Sequence, residues 1–198
     1  VSKDRVFLRV AERPGTTCPP GYIQAFLPQS KDDSITLFLH NPEIDKTYCS
    51  NSIYIPQSRL GGEMLIELSK YADIAAGWIE VNPKKATRHH KTFEYQMGVC
   101  LLSVEVSARK KDSIVLSVLT PEDGRYIQDL IFLKDKNNIS FFKAFREILL
   151  ELHAELEKKL TEQSAQKTRT ARAKQSKTAT KAVAKKAPAK KAVVKKAV

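Results

Sequence analysis

Asp33-Ser34-Ile35-Thr36-Leu37 and Asp112-Ser113-Ile114-Val115-Leu116 are one pattern met twice, 79 residues apart, and the same offset lays Pro42-Glu43 over Pro121-Glu122. With one residue dropped, Tyr48 falls on Tyr126 and Ile53-Tyr54-Ile55 on Ile131-Phe132-Leu133. Each run leads into a helical apolar stripe. Self-similarity at a fixed offset marks a repeated supersecondary unit, so the first and second halves are expected to share one fold.

Around the first copy, apolar and polar residues alternate over 5–10, 22–27, 35–40 and 52–55, the period of half-buried strands. Pro14-Gly15, Pro19-Pro20-Gly21, Asp32-Asp33 and Asn41-Pro42 lie between them as turn formers. Over 59–76 the spacing changes to three and four (Leu60, Met64, Leu65, Leu68, Tyr71, Ala72, Ala75), with Ser58 as candidate cap and Gly61-Gly62 weakening the first turn. The second copy repeats the order, with strands at 93–97, 99–106, 114–119 and 126–133. Its helix, expected over 140–160, carries Phe141, Phe142, Phe145, Ile148, Leu149, Leu152, Leu156 and Leu160, with Asn137-Asn138 as start signals. The expected fold is therefore α+β: two tandem ββββα repeats, each an antiparallel sheet packed on a helix. They occupy 1–80 and 93–160, joined by a basic linker at 81–92.

Lys and Arg number 34 against 22 Asp and Glu, a net charge of +12 in 198 residues. From Thr161 to Val198 there are 12 bases and the single acid Glu162, so the remainder is nearly neutral. This stretch, 161–198, consists mostly of Ala, Lys, Thr and Val, has no aromatic residue, and is expected to be a disordered basic tail. A cationic tail points to a polyanion. An anionic membrane fits less well than nucleic acid because no large apolar anchors accompany the charge.

No run approaches the roughly 18 to 20 apolar residues that span a bilayer, and the first residues lack the apolar core of a secretory signal. The expected location is cytoplasmic and nucleoid-associated, or nuclear or organellar in a eukaryote. Cys18, Cys49 and Cys100 are odd in number and widely spaced, so neither a disulfide framework nor a zinc site is expected. The chain has no Gly-rich phosphate loop, HExxH or GxSxG. The pair His89-His90 falls in the basic linker, and Glu63, Glu67, Glu147, Glu151, Glu155 and Glu157 fall on helices, where charge is normally solvated. An enzyme is not expected, nor a cofactor or metal.

Binding chemistry is better represented. Strand parity allows Val6, Leu8, Val10, Ile23, Leu27, Ile35, Leu37, Leu39, Ile53 and Ile55 to face the helix. The opposite parity collects Arg5, Phe7, Arg9, Tyr22, Gln24, Phe26, Thr36, Phe38, His40 and Tyr54 on the other face. In the second copy the outer parity gives Ser103, Glu105, Ser107, Val115, Ser117, Leu119, Tyr126 and Phe132, poorer in arginine and rings. Candidate residues for nucleic acid are thus Phe7, Tyr22, Phe26, Phe38 and Tyr54 as stacking rings and Arg5 and Arg9 as phosphate contacts. The linker bases Lys84, Lys85, Arg88 and Lys91 would extend the cationic path. In the tail, the pairs Lys185-Lys186, Lys190-Lys191 and Lys195-Lys196 recur every five residues and would neutralise phosphates without reading sequence. An interface with the other repeat or with a second subunit is the competing use of the same aromatic face.

The doubled order of four strands and a helix, with an aromatic and basic sheet face, resembles the PUR and Whirly families over about residues 3–160. That resemblance implies curved antiparallel sheets on helices, single-stranded DNA or RNA as ligand, and association of repeats or subunits. The KGKAAL run of Whirly proteins is absent. KKAPAKKA at 185–192 is similar to the tails of linker histones and bacterial histone-like proteins. The expected function is nucleic-acid binding, with single strands stacked on the first sheet and the tail adding phosphate contacts. The alternative is a nucleoid or chromatin architectural protein whose tail binds duplex DNA and whose globular part forms a homodimer.

Overall fold

Buried and accessible residues alternate at period 2 on three strands of the first half, and every strand described pairs with one close in sequence. A computed structural model describes residues 4–12, 20–40, 52–81, 87–95, 98–106, 113–119 and 128–184, with the side chains of 95, 98–100, 128 and 171–184 outside the description. The elements are β1 (Arg5–Ala11), β2 (Gly21–Leu27), β3 (Ile35–His40), β4 (Ser52–Ile55) and α1 (Arg59–Val81). They continue with β5 (Arg88–Tyr95), β6 (Gly98–Val106), β7 (Ser113–Leu119), β8 (Gln128–Leu133) and α2 (Asn137–Ala184). They form two antiparallel four-stranded sheets, ordered β1-β2-β3-β4 and β5-β6-β7-β8. This is an α+β architecture compatible with two ββββα units. The turn formers at 14–15, 19 and 41–42 lie outside the described residues.

Both helices begin where local chemistry sets them. Ser58 caps α1, its hydroxyl accepting from the Gly61 amide at 3.3 Å and its carbonyl from the Gly62 amide at 3.0 Å. Gly61 is required by space: a Cβ there would lie 1.8 Å from the Pro56 carbonyl oxygen. A Cβ on Gly62 would lie 3.2 Å from Glu157 on α2, so the pair that weakens helix propensity admits close neighbours. At α2 the cap is Asp135, whose carboxylate accepts from the Asn137 amide at 2.8 Å. Asn138, buried, donates its side-chain amide to the Leu133 carbonyl at 2.8 Å, tying the helix to the strand before it.

Each helix reaches beyond the sheet that precedes it. From α1, the Tyr71 phenol donates to the Leu102 carbonyl of β6 at 3.5 Å, Glu67 pairs with Lys91 of β5 at 3.7 Å, and Trp78 packs against His89. From α2, Phe141 abuts Gly21 of β2, and Glu151 and Glu155 pair with Arg9 and Arg5 of β1. The two helices meet at Arg146–Asp73, 2.7 Å. The helices are therefore shared between the sheets in addition to following their own, and the described residues up to Lys158 belong to one compact unit. The reason is length. A helix of 23 residues extends about 35 Å at ~1.5 Å per residue, whereas four strands about 4.8 Å apart cover roughly 19 Å.

Between the layers lie Ile23, Leu37, Leu39, Ile53, Ile55, Met64, Leu65 and Leu68 on one side and Leu102, Val104, Ile114, Leu116, Leu130 and Phe132 on the other, all buried. Phe132, Phe141, Phe142 and Phe145 are fully buried, and the Phe132 centroid lies 5.5 Å from that of Phe141 and 4.7 Å from that of Phe142. The Tyr71 phenol is pushed well above its ordinary value of 10.0, first by burial and then by the Glu67 carboxylate. A phenol harder to ionise folded than unfolded leaves stability intact below pH 10 and reduces it above. The midpoint of thermal unfolding is therefore expected to fall as pH rises past about 10, and Tyr71→Phe is expected to remove part of that slope.

Three boundaries differ from expectation. α1 runs on from the expected 76 to Val81. β5 begins at Arg88, so Arg88–Thr92 of the expected linker are strand, and His89-His90 with them. An edge strand is paired on one side only and tolerates such polar residues. The expected disordered tail is helical from Thr161 to Ala184, in a unit of its own from Lys159 onward. Lack of a core argues against tertiary packing, not against a helix. Ala, Lys, Arg and Gln are good helix formers, no Gly or Pro interrupts them before Pro188, and extension of an existing helix avoids the nucleation cost. Thr168 and Thr170 donate their hydroxyls to carbonyls four residues back, at 3.0 and 2.9 Å. Residues 185–198, with their paired lysines, lie outside the described residues.

Candidate nucleic-acid interface

Residues paired across a ladder share a face, so the register of the first sheet assigns every side chain. Val6 pairs with Phe26, Leu8 with Gln24 and Val10 with Tyr22. Tyr22 then pairs with His40, Gln24 with Phe38 and Phe26 with Thr36. Thr36 pairs with Tyr54, and Phe38 with Ser52. These residues form the outer face. Tyr22 and His40 stack at 4.6 Å with 25° between their planes, and Phe26 meets Phe38 edge-on at 5.7 Å. Tyr22 is 40% and Phe38 38% exposed, and Tyr54 is half-buried. Four rings and an imidazole, interleaved with Gln24, Thr36 and Ser52, offer stacking surfaces beside hydrogen-bonding groups.

The parity expected for β1 is reversed. Arg5 pairs with Leu27, Phe7 with Ala25 and Arg9 with Ile23, and these partners are buried. Arg5, Phe7 and Arg9 therefore share the helix side, while Val6, Leu8 and Val10 are turned outward at 54%, 53% and 50% exposure. On the helix side the arginines find partners on α2. Glu147, Glu151 and Glu155 recur every four residues and form one acidic stripe. Arg5 pairs with Glu155 and Arg9 with Glu151, with Glu147 3.9 Å from Arg9. Each half-exposed pair contributes at most about 1 kcal/mol, while each half-exposed aliphatic side chain forgoes a comparable amount. Neither arginine stands on the aromatic face.

The other sequence-derived candidates are scattered. Arg88 pairs with Glu105 at 3.5 Å. Lys91 lies 3.7 Å from Glu67 and 4.7 Å from the centroid of Phe93, on the helix side of the second sheet. Lys84, Lys85 and the tail lysines 185, 186, 190, 191, 195 and 196 lie outside the described residues. On the second sheet Val115, Ser117 and Leu119 share a face with Ser103 and Glu105, but Ser103 and Val115 are buried there rather than open to solvent. Phe132, expected there, pairs with Ile114 and is fully buried, because β8 takes its parity from β7. Ser107 and Tyr126 lie outside the described residues, as do Cys18 and Cys49.

Sequence reasoning thus located Tyr22, Phe26, Phe38 and Tyr54 on one face and missed the β1 strip of Val6, Leu8 and Val10. The glutamate spacing on α2 was the available signal. A shallow depression at the β1–β2 end of the face is lined by Leu8, Val10, Pro20, Gly21, Tyr22 and Gln24. Among the described residues no group of three or more His, Cys, Asp or Glu converges as a metal site, and no helix is long and apolar enough to cross a membrane. The chain matches no family model, no curated protein and no solved structure.

Proposed function

We propose that the chain binds nucleic acid, with unpaired bases stacked on Tyr22, Phe26, Phe38 and Tyr54 of the first sheet and phosphates neutralised by the cationic segment that follows Thr161. The observation that carries this reading is the outer face itself: rings on neighbouring strands, interleaved with amide, hydroxyl and imidazole groups that suit base edges. Stacking contributes about 1–3 kcal/mol per base with little sequence preference. Phe38→Ala is expected to weaken binding of a short oligo-dT or oligo-U roughly five- to a hundred-fold, leaving duplex binding unchanged in the same fluorescence-anisotropy titration. Equal loss on both ligands, or no loss, defeats the stacking assignment.

A second reading, duplex DNA bound by the cationic segment alone with the folded part serving assembly, is favoured by one observation. Arg5 and Arg9 are engaged by glutamates on the helix side, so the aromatic face lacks the arginines expected to hold phosphates. Under this reading Phe38→Ala changes neither ligand.

A further inference from the structure

We infer that a second copy of this chain docks on the outer face of the first sheet, with the Val6-Leu8-Val10 strip of β1 inside the contact. The inference deepens the second reading by naming its assembly surface, and it requires no binding by the cationic segment. Three observations carry it. The first is the inverted parity of β1: the strand turns two arginines towards the helix side and leaves three aliphatic side chains half exposed in a row. A contiguous apolar strip, unlike a single exposed leucine, marks a contact surface. It continues into Tyr22 and Phe38, also among the exposed large apolar residues.

The second observation is charge. The outer face, Val6, Leu8, Val10, Tyr22, Gln24, Phe26, Thr36, Phe38, His40, Ser52 and Tyr54, contains no Asp, Glu, Lys or Arg. A two-fold contact brings a surface against itself, and here it sets no carboxylate or ammonium against its like. A strongly charged protein partner would find no counter-charge on it.

The third is the counterpart edge strand in the second sheet. β5 presents Arg88, His90, Thr92 and Glu94 on its outer face, all exposed and polar, which is how edge strands are ordinarily kept from association. β1 carries no such protection on its outer face. Strands of 7, 7, 6 and 4 residues, at ~3.4 Å per residue and ~4.8 Å apart, cover roughly 400 Å² per copy and about 800 Å² for a pair. That is the size of a weak contact, so a reversible dimer in the micromolar range is the expected form.

The test is sedimentation equilibrium of the full chain, treated with nuclease, from about 1 to 100 µM. The wild type is expected to rise from 22.3 kDa towards twice that mass. Leu8→Glu, which would bury an unpaired carboxylate in the apolar contact while lying at a solvent-facing position of the monomer, is expected to stay monomeric throughout with an unchanged melting curve. Thr92→Glu, on the counterpart strand, is expected to dimerise as the wild type does. A wild type that stays monomeric to 100 µM overturns the inference, as does a Leu8→Glu variant that associates normally. Failure of oligo-dT to bind removes the stacking reading and leaves this one intact. If oligo-dT does bind, it is expected to shift the wild type towards monomer, because both occupants use one face.

Discussion

Phe132→Ala is expected to cost about 3–5 kcal/mol of stability, the largest effect of any single side chain discussed for the folded unit. Phe132 stands on β8 with no exposed surface, its ring against Phe141 and Phe142. Phe141 in turn fills the space over Gly21 on the first sheet, where an added Cβ would lie 3.0 Å from its ring. Truncation therefore opens a cavity where strand, helix and the other sheet converge, and no small side chain nearby can close it. Leu133→Ala is the control. One residue along, it has the opposite parity and is 46% exposed, so its loss is expected to stay within about 1 kcal/mol. Urea unfolding should show a large fall in midpoint for the first variant and little for the second. Equal midpoints would refute the assignment of Phe132 to the core.

The second large effect concerns salt. The segment from Thr161 to Val198 holds 12 of the 34 basic residues. If about half of its bases meet phosphates, log K for duplex DNA falls against log salt with a slope near −5, a loss of about a thousand-fold between 50 and 200 mM. A chain ending at Leu160 is expected to show a slope near zero. Retention of the steep slope would move the electrostatic contact onto the folded unit. The helical state of the segment to Ala184 does not alter this expectation, because neutralisation depends on charge count and proximity rather than on a fixed backbone.

The strand and helix order was legible because its determinants are local. Alternation over 22–27, 35–40 and 52–55 identifies strands within one or two residues of β2, β3 and β4, and the buried set Ile23, Leu37, Leu39, Ile53 and Ile55 is the parity that alternation names. The rings Tyr22, Phe26, Phe38 and Tyr54 came with it, since on a paired strand one parity implies the other. β1 was not legible in this way. Its two parities are arginine with phenylalanine and three aliphatics, and hydrophobicity alone chooses the aliphatics for the core. The observed choice is the other one, and its arginines meet glutamates 142 to 150 positions away in sequence.

The extent of α2 shows the same limit from the other side. Composition correctly places the charge after Thr161 but says nothing of a helix already nucleated by Phe141, Phe145 and Leu149 against the core. Propagation from that nucleus requires only residues that tolerate helix, and the segment supplies them as far as Ala184. The expected disorder rested on tertiary burial, while the helix rests on local hydrogen bonds.

Local pattern carried the α+β element order, the inward faces of β2, β3 and β4, and the concentration of charge after Thr161. All of these follow from periodicity and composition within a few residues. Which face β1 shows and which sheet each helix reaches came from long-range packing alone. An edge strand has one neighbouring strand to set its register and a distant helix to set its chemistry, and a helix longer than its sheet is wide must cover something else. Both depend on partners that no local window contains.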